Sequence, residues 1–494
     1  MELSLIDLAI FFVYMAGIVG FGVSFYFKNR TGKDYITGGG RLPAWALGMS
    51  IFATYVSSIS FLALPGNAYQ SNWNSFVFSL SIPFAALIAV NFFVPLYRKL
   101  QSPSAYTYFE NRFGPWVRIY ASICYLLTQL ARMGAILYLL ALPMEALLGW
   151  NIPTIIVLTG LLVMIYAMMG GIEAVVWTDA IQGIILISGA IGCLFLIILR
   201  IPGGIDQVLE IAKNDHKLSL GSFSLNWSES TFWLVLIYGL FINLQNFGVD
   251  QSYIQRYIGA RSEKEAKLST WLGSLLYVPV SLLFFMIGTA LYVYYQINTQ
   301  LLPIELSGLD QADKIFPYFI VSSLPVGLTG LLVASIFAAG MSTLSTSINS
   351  SATVILEDHF KKYLSSSLPQ QSEISILRTA SFAMGLASIG VALAFNGVLS
   401  ALDAWWALAS IFSGGILGLF LLGILTKIKS NLPPVLGVIL GLIVIGWISL
   451  SDFFQSLGFL SLTIHKNLAI VLGTTAIFFV GFFVGHLIKP FKKP

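Results

Sequence analysis

Thr54, Ser57, Ser58 and Ser60 place four hydroxyls within seven positions of SIFATYVSSISFLALPG, residues 50–66, just before Pro65 and Gly66. The surroundings are apolar. Hydroxyls in such a run either bond back to helix carbonyls or line a site where the helix is interrupted. Four of them beside a Pro-Gly pair favour the second reading.

Three further polar groups fall in apolar runs. GLFINLQNFGVDQ, residues 239–251, carries Asn243, Gln245, Asn246 and Gln251, with Gly239 and Gly248 placed to flank a break. FAAGMSTLSTSINS, residues 337–350, sets Ala339, Ser342, Thr343 and Thr346 at i, i+3, i+4, i+7, which is one face of a helix. Small residues suit close helix packing. Hydroxyls with freed carbonyls also make an all-oxygen site for a hard cation, sodium above all. Two charges stand alone: Arg132 in LTQLARMGAILYL and Asp179 in GGIEAVVWTDAIQG. A central arginine costs about 2.5–3.5 kcal/mol to insert, so it must face a cavity, another helix or a ligand. Asp179 is placed to meet Ser345 or Thr346.

The elements holding these groups are membrane helices. The chain has 494 residues, 57% hydrophobic and 10% charged, with a mean hydropathy of +0.84; soluble domains carry about 25% charge. With about 20 apolar residues per crossing, the sequence predicts thirteen transmembrane helices, at 4–27, 44–69, 75–97, 117–143, 152–170, 176–200, 232–254, 269–296, 325–357, 374–397, 401–426, 431–451 and 467–488. The first run reads as a spanning helix rather than a cleavable leader. Twenty of the 26 lysines and arginines then fall on one side, five on the other, and Arg132 lies mid-span. The positive-inside rule sets the N-terminus outside and the C-terminus inside. Spans 2 and 7, the interrupted ones, each open a five-span set. Paired interruptions at corresponding positions of two halves point to a transporter's binding site.

Other chemistries lack their residues. The four histidines lie in loops or at span ends, and GGGRLP at 38–43 has no phosphate-loop lysine. The two cysteines imply no disulfide framework. An enzyme, an ATP-driven pump and a nucleic-acid partner are not expected, nor is an organic cofactor.

The chain resembles the sodium:solute symporters, most specifically at DYITGGGRLPAWALGMSIFATYVSSISFLALPGNAY, MMGGIEAVVWTDAIQG, DQSYIQRYIGARS and FAAGMSTLSTSINS. The resemblance implies an all-α polytopic fold of the LeuT type, an inverted five-plus-five repeat with one helix before it and two after. One transporter domain over 1–494 follows: an extra helix at 4–27, the two halves within 44–254 and 232–426 with their boundary near 201–231, and two extra helices at 431–488. It also implies a first sodium site of Ala53, Val56, Ala339, Ser342 and Thr343, and a second of Asp179, Ser345 and Thr346. Within the family the pattern is similar to the sialic-acid branch, which implies that Arg132 with Ser57 and Ser60 clasps a carboxylate. Thr54, Ser58, Asn243 and Asn246 complete the expected substrate-binding set. Ser79 stands where that branch would present a longer amide. The expected function is sodium-coupled import of a carboxylate solute, sialic acid first, by a multi-pass plasma-membrane protein working as a monomer. A symporter for another monocarboxylate, an amino acid or a neutral sugar stays open, as do proton coupling through Asp179 and a channel or sensor on the same fold.

Overall fold

The computed structural model describes residues 3–28, 31–100, 102–306, 308, 311–364, 368–395, 401–451 and 464–487. The architecture is helical. Among the described residues the only β contact is one isolated parallel bridge, Leu42 with Ala260. Among the described residues ten helices are long and apolar enough to cross a membrane, and a bent pair adds an eleventh candidate. The expected stretches 44–69 and 232–254 each run over two helices, and 152–170 and 176–200 share one.

The helix Ile152–Leu199 is 48 residues long, about 72 Å at ~1.5 Å per residue, more than twice a hydrocarbon core of about 30 Å. It turns at Gly171, where φ is 59° and ψ −162°. A Cβ there would lie 2.9 Å from the carbonyl oxygen of Tyr35, so glycine is required on two counts. Its arms correspond to the expected spans 152–170 and 176–200.

Two helices are interrupted inside the bundle. Ala44–Tyr55 stops at Val56, which is extended (φ −79°, ψ 111°), and Ser58–Gln70 resumes after Ser57. The two arms meet at a bend of 55°. Phe232–Val249 stops at Asp250, also extended (φ −79°, ψ 118°), and Gln251–Gly259 follows. The second break therefore lies at the aspartate, not between the glycines. Gly239 and Gly248 serve close packing instead: a Cβ would sit 3.0 Å from the Phe78 carbonyl oxygen at the first, and 2.7 Å from the Phe93 ring at the second.

Leu328–Val354 runs through the middle, almost every residue buried. Part of its hydroxyl content is satisfied on the helix itself, as in Ser350 Oγ to the Thr346 carbonyl (2.7 Å) and Thr353 Oγ1 to the Asn349 carbonyl (3.1 Å). Its N-terminus is held by the first helix, Leu5–Ser24. The buried carboxylate of Asp7 accepts the N–H groups of Gly327 (2.7 Å) and Gly330 (2.8 Å), two of the orphan donors every helix start presents.

Candidate functional site

The break at Val56 faces the central helix Leu328–Val354. Ser342 Oγ donates to the Ala53 carbonyl at 2.9 Å and lies 3.2 Å from the Ala339 carbonyl; Thr343 Oγ1 lies 3.2 Å from that same carbonyl. Ala53, Val56, Ala339, Ser342 and Thr343 are all buried. Because Ala44–Tyr55 ends here, its last carbonyls have no following turn to receive their bonds. The result is a set of carbonyl and hydroxyl oxygens with no formal charge, the donor chemistry of a hard monovalent cation.

One turn further along, Thr346 reaches a charged cluster. Its Oγ1 lies 3.4 Å from Asp179 Oδ2 and 3.3 Å from Thr54 Oγ1. Ser50 Oγ donates to the same Asp179 oxygen at 2.5 Å. Ser345 donates instead to the Ser342 carbonyl, 3.1 Å away along its own helix. The sequence reading missed two members, Ser50 and Arg256. Arg256 Nη2 lies 3.1 Å from Asp179 Oδ2 and donates to Thr346 Oγ1 at 2.6 Å; Nε donates to Ser50 Oγ at 2.8 Å, and Nη1 to the Ser252 carbonyl at 2.6 Å. Arg256, one of the twenty basic residues assigned above to the more basic side, is wholly buried on Gln251–Gly259. Moving one residue leaves the charge asymmetry intact. The available signal was its place five residues beyond Gln251, inside a stretch already singled out. Asp179 Oδ1 has no hydrogen-bond partner among the described residues.

The third cluster surrounds Arg132. Its Nη2 donates to the Thr54 carbonyl at 3.3 Å, and its Nη1 stands 3.9 Å from Asp250 Oδ2. The two breaks therefore converge on one guanidinium: the C-terminal end of Ala44–Tyr55 supplies a carbonyl, and the residue between the second pair supplies a carboxylate. Asp250 is an interior residue, its side chain 13% exposed. Its Oδ1 caps the next helix through the Ser252 N–H (2.7 Å), and its Oδ2 accepts from Gln129 Nε2 (3.3 Å).

The other expected substrate residues divide. Ser57 caps Ser58–Gln70, accepting from the Ser60 N–H at 3.4 Å. Ser58 Oγ is buried with no hydrogen-bond partner among the described residues and faces Gly340 on the central helix. Thr54 turns its hydroxyl to Thr346 and only its carbonyl to Arg132. Asn243 accepts from the Tyr55 hydroxyl and donates to Ser81 Oγ at 2.9 Å, so it braces the first break. Asn246 lies three residues further along, half-buried. Gln251 donates to the Pro103 carbonyl (2.6 Å) and accepts from the Ala105 N–H (2.8 Å), a structural tie. Ser79 is paired with Ser281 at 2.8 Å. Aromatic side chains flank the break on both sides, Tyr55 against Tyr277 (4.4 Å between centroids) and Phe61 stacked on Phe316 (5.5 Å).

The model of the sodium:solute symporter family matches residues 35–444. The sodium/sialic acid symporter SiaT of Proteus mirabilis is 36% identical over 448 residues, covering 90% of this chain and 89% of its own. The sodium/sialic acid symporter NanT of Aliivibrio fischeri is 33% identical over 486 residues, covering 97% and 92%. A Na+-coupled sialic acid symporter, solved in a substrate-bound outward-open state, superposes with a TM-score of 0.90 at 33% identity over 99% of both chains. A nucleobase-cation-symport-1 family transporter shares the fold, at a TM-score of 0.59 and 14% identity.

Proposed function

We propose that this chain, which belongs to the sodium:solute symporter family, imports sialic acid together with sodium by alternating access. Two of its relatives carry that substrate in their names. The observation that carries the reading is the convergence of both helix breaks on Arg132. A guanidinium offers a planar fork matched to two carboxylate oxygens, and here it leans on one backbone carbonyl and a carboxylate at the outer limit of an ion pair. An arriving substrate carboxylate can take over that fork, and Ser57 and Ser60 are the hydroxyls we assign to the same carboxylate.

In this reading sodium is cargo and driving ion. One ion is held by Ala53, Val56, Ala339, Ser342 and Thr343. A second uses Asp179 with Thr346 and Ser345, and the partnerless Oδ1 of Asp179 is the oxygen left for it while Arg256 holds the other. We read the chain as a monomer in the plasma membrane with thirteen crossings, the N-terminus outside, and two inverted halves within 44–254 and 232–426. The end of the bundle bearing the basic connections is then the inner face.

The test is uptake of N-acetylneuraminate by the purified chain in liposomes, with a sodium gradient and with potassium in its place. Saturable uptake in the first and none in the second is expected. Sodium current without substrate would make the protein a channel. Uptake of a small monocarboxylate but not of N-acetylneuraminate would move the substrate elsewhere in the family; the short Ser79, paired with Ser281, is the feature that favours that outcome.

A further inference from the structure

We propose that the protein binds the phosphate headgroup of an anionic phospholipid in a cavity at the end of the bundle that bears the basic connections, where the chain enters the first broken helix and leaves the second. The cavity is about 630 Å³ and is lined by Lys28, Arg41, Arg261, Glu173, Trp45 and Trp177, among others. It belongs to neither the sodium nor the carboxylate cluster.

The lining is rigid. Leu42, which leads into Ala44–Tyr55, donates its N–H to the Gly259 carbonyl at 3.3 Å and bridges to Ala260, which leaves Gln251–Gly259. Arg261 Nε donates to the Arg41 carbonyl at 2.9 Å, which aims the rest of its guanidinium. Gly38, Gly39 and Gly40 all have positive φ, at 58°, 66° and 69°. A Cβ at Gly39 would lie 2.9 Å from the Arg41 guanidinium nitrogens, so glycine lets Arg41 fold back over the turn.

The cations are available. Lys28 is 3.7 Å from Glu173 and Arg41 is 3.7 Å from Asp34, with the lysine and arginine side chains 62% and 81% exposed. Those separations exceed a hydrogen bond, and exposed pairs of this kind contribute little. Arg261 is exposed, and among the described residues no carboxylate lies within ion-pair distance of it. Two arginine forks and an ammonium around one cavity suit a phosphate oxyanion.

The aromatic side chains argue for a lipid as the source. Trp45 and Trp177 pack edge to face at 5.4 Å, and Trp45 remains 49% exposed. Phe27, at the end of the first helix, is 81% exposed. Tryptophan beside lysine and arginine at helix ends is the pattern of the headgroup level. Basic side chains there gain about 1 kcal/mol each from anionic lipid.

The test uses the full chain in a mild detergent, read by thermal unfolding, with phosphatidylglycerol, phosphatidylcholine and free glycerol phosphate as separate additions. Phosphatidylglycerol alone is expected to raise the unfolding temperature. Arg41→Gln, an exposed change, should weaken its apparent affinity about fivefold. Glu173→Gln frees Lys28 from its acid and should strengthen it. Lys264→Gln, three residues beyond Arg261 in the first turn of Glu263–Ile297 and outside the cavity, should change nothing. An equal effect of phosphatidylcholine overturns the proposal, as does an unchanged affinity in both cavity variants. An equal effect of glycerol phosphate overturns the lipid source. The readout needs neither sodium nor transported solute, so it fails or succeeds apart from the transport reading; only the name inner face rests on that reading.

Discussion

Arg256 Nη2 stands 3.1 Å from Asp179 Oδ2, and neither side chain is exposed at all. A buried pair is costly to break, because removing one member strands the other: about 3–5 kcal/mol. Arg256→Met should therefore lower the unfolding temperature sharply. Sodium is the other cation that can answer Asp179, so raising sodium should restore more of the variant's stability than it adds to the parent's. A scan of unfolding temperature against sodium concentration checks this. Equal sodium effects in both proteins would leave the pair purely structural.

Asp179→Asn keeps the size of the side chain and removes its charge. The sodium Hill coefficient of uptake is expected near two in the parent and near one in the variant. A coefficient of one in both would leave a single coupled ion.

Ser342 contributes one hydroxyl to the oxygen set around Ala53 and Ala339. Ser342→Ala leaves a good helix former in place and should fold. Losing one polar ligand to a cation, at about 1.5 kcal/mol, should raise the sodium concentration for half-maximal uptake roughly tenfold. An unaltered sodium dependence would remove this cluster from the transport cycle.

Arg132→Lys loses the two-pronged fork, and Arg132→Ala loses the charge as well. Carboxylate affinity should fall by roughly 10- to 100-fold, more in the alanine variant. Asp250→Asn works in the opposite direction. Asparagine still caps Gln251–Gly259, but no longer competes for the guanidinium, so substrate should bind several-fold tighter by calorimetry. A neutral sugar carried as well as the acid would make the arginine structural.

Two sodium ions with one monoanion move a net single positive charge. A potential of 100 mV, inside negative, then adds about 2.3 kcal/mol of drive. Liposomes with an imposed potassium diffusion potential should accumulate more substrate than those without. Indifference to the potential would point to one sodium per substrate.

Asp7 binds the first helix to the start of the central one through the Gly327 and Gly330 N–H groups. Asp7→Ala should cost about 1–2 kcal/mol, as loss of a helix cap does, seen as a lower unfolding temperature at every sodium concentration.

The helices were legible in the sequence because crossing a bilayer demands apolar length, a property of consecutive residues. The face of Ala339, Ser342, Thr343 and Thr346 was legible too, because helical periodicity alone groups them, and the break near Ser57 announced itself by composition. The partners were not. Nothing local told that Arg256 would meet Asp179 rather than water, that Asp250 would turn inward to Arg132, or that Thr54 would point its hydroxyl at Thr346. The second break also sat at a capping aspartate, while the nearby glycines were spent on close helix approach. Which side chains face one another across a bundle depends on the rotation and register of separate helices. Those follow from packing the whole core, and a one-dimensional pattern leaves them free.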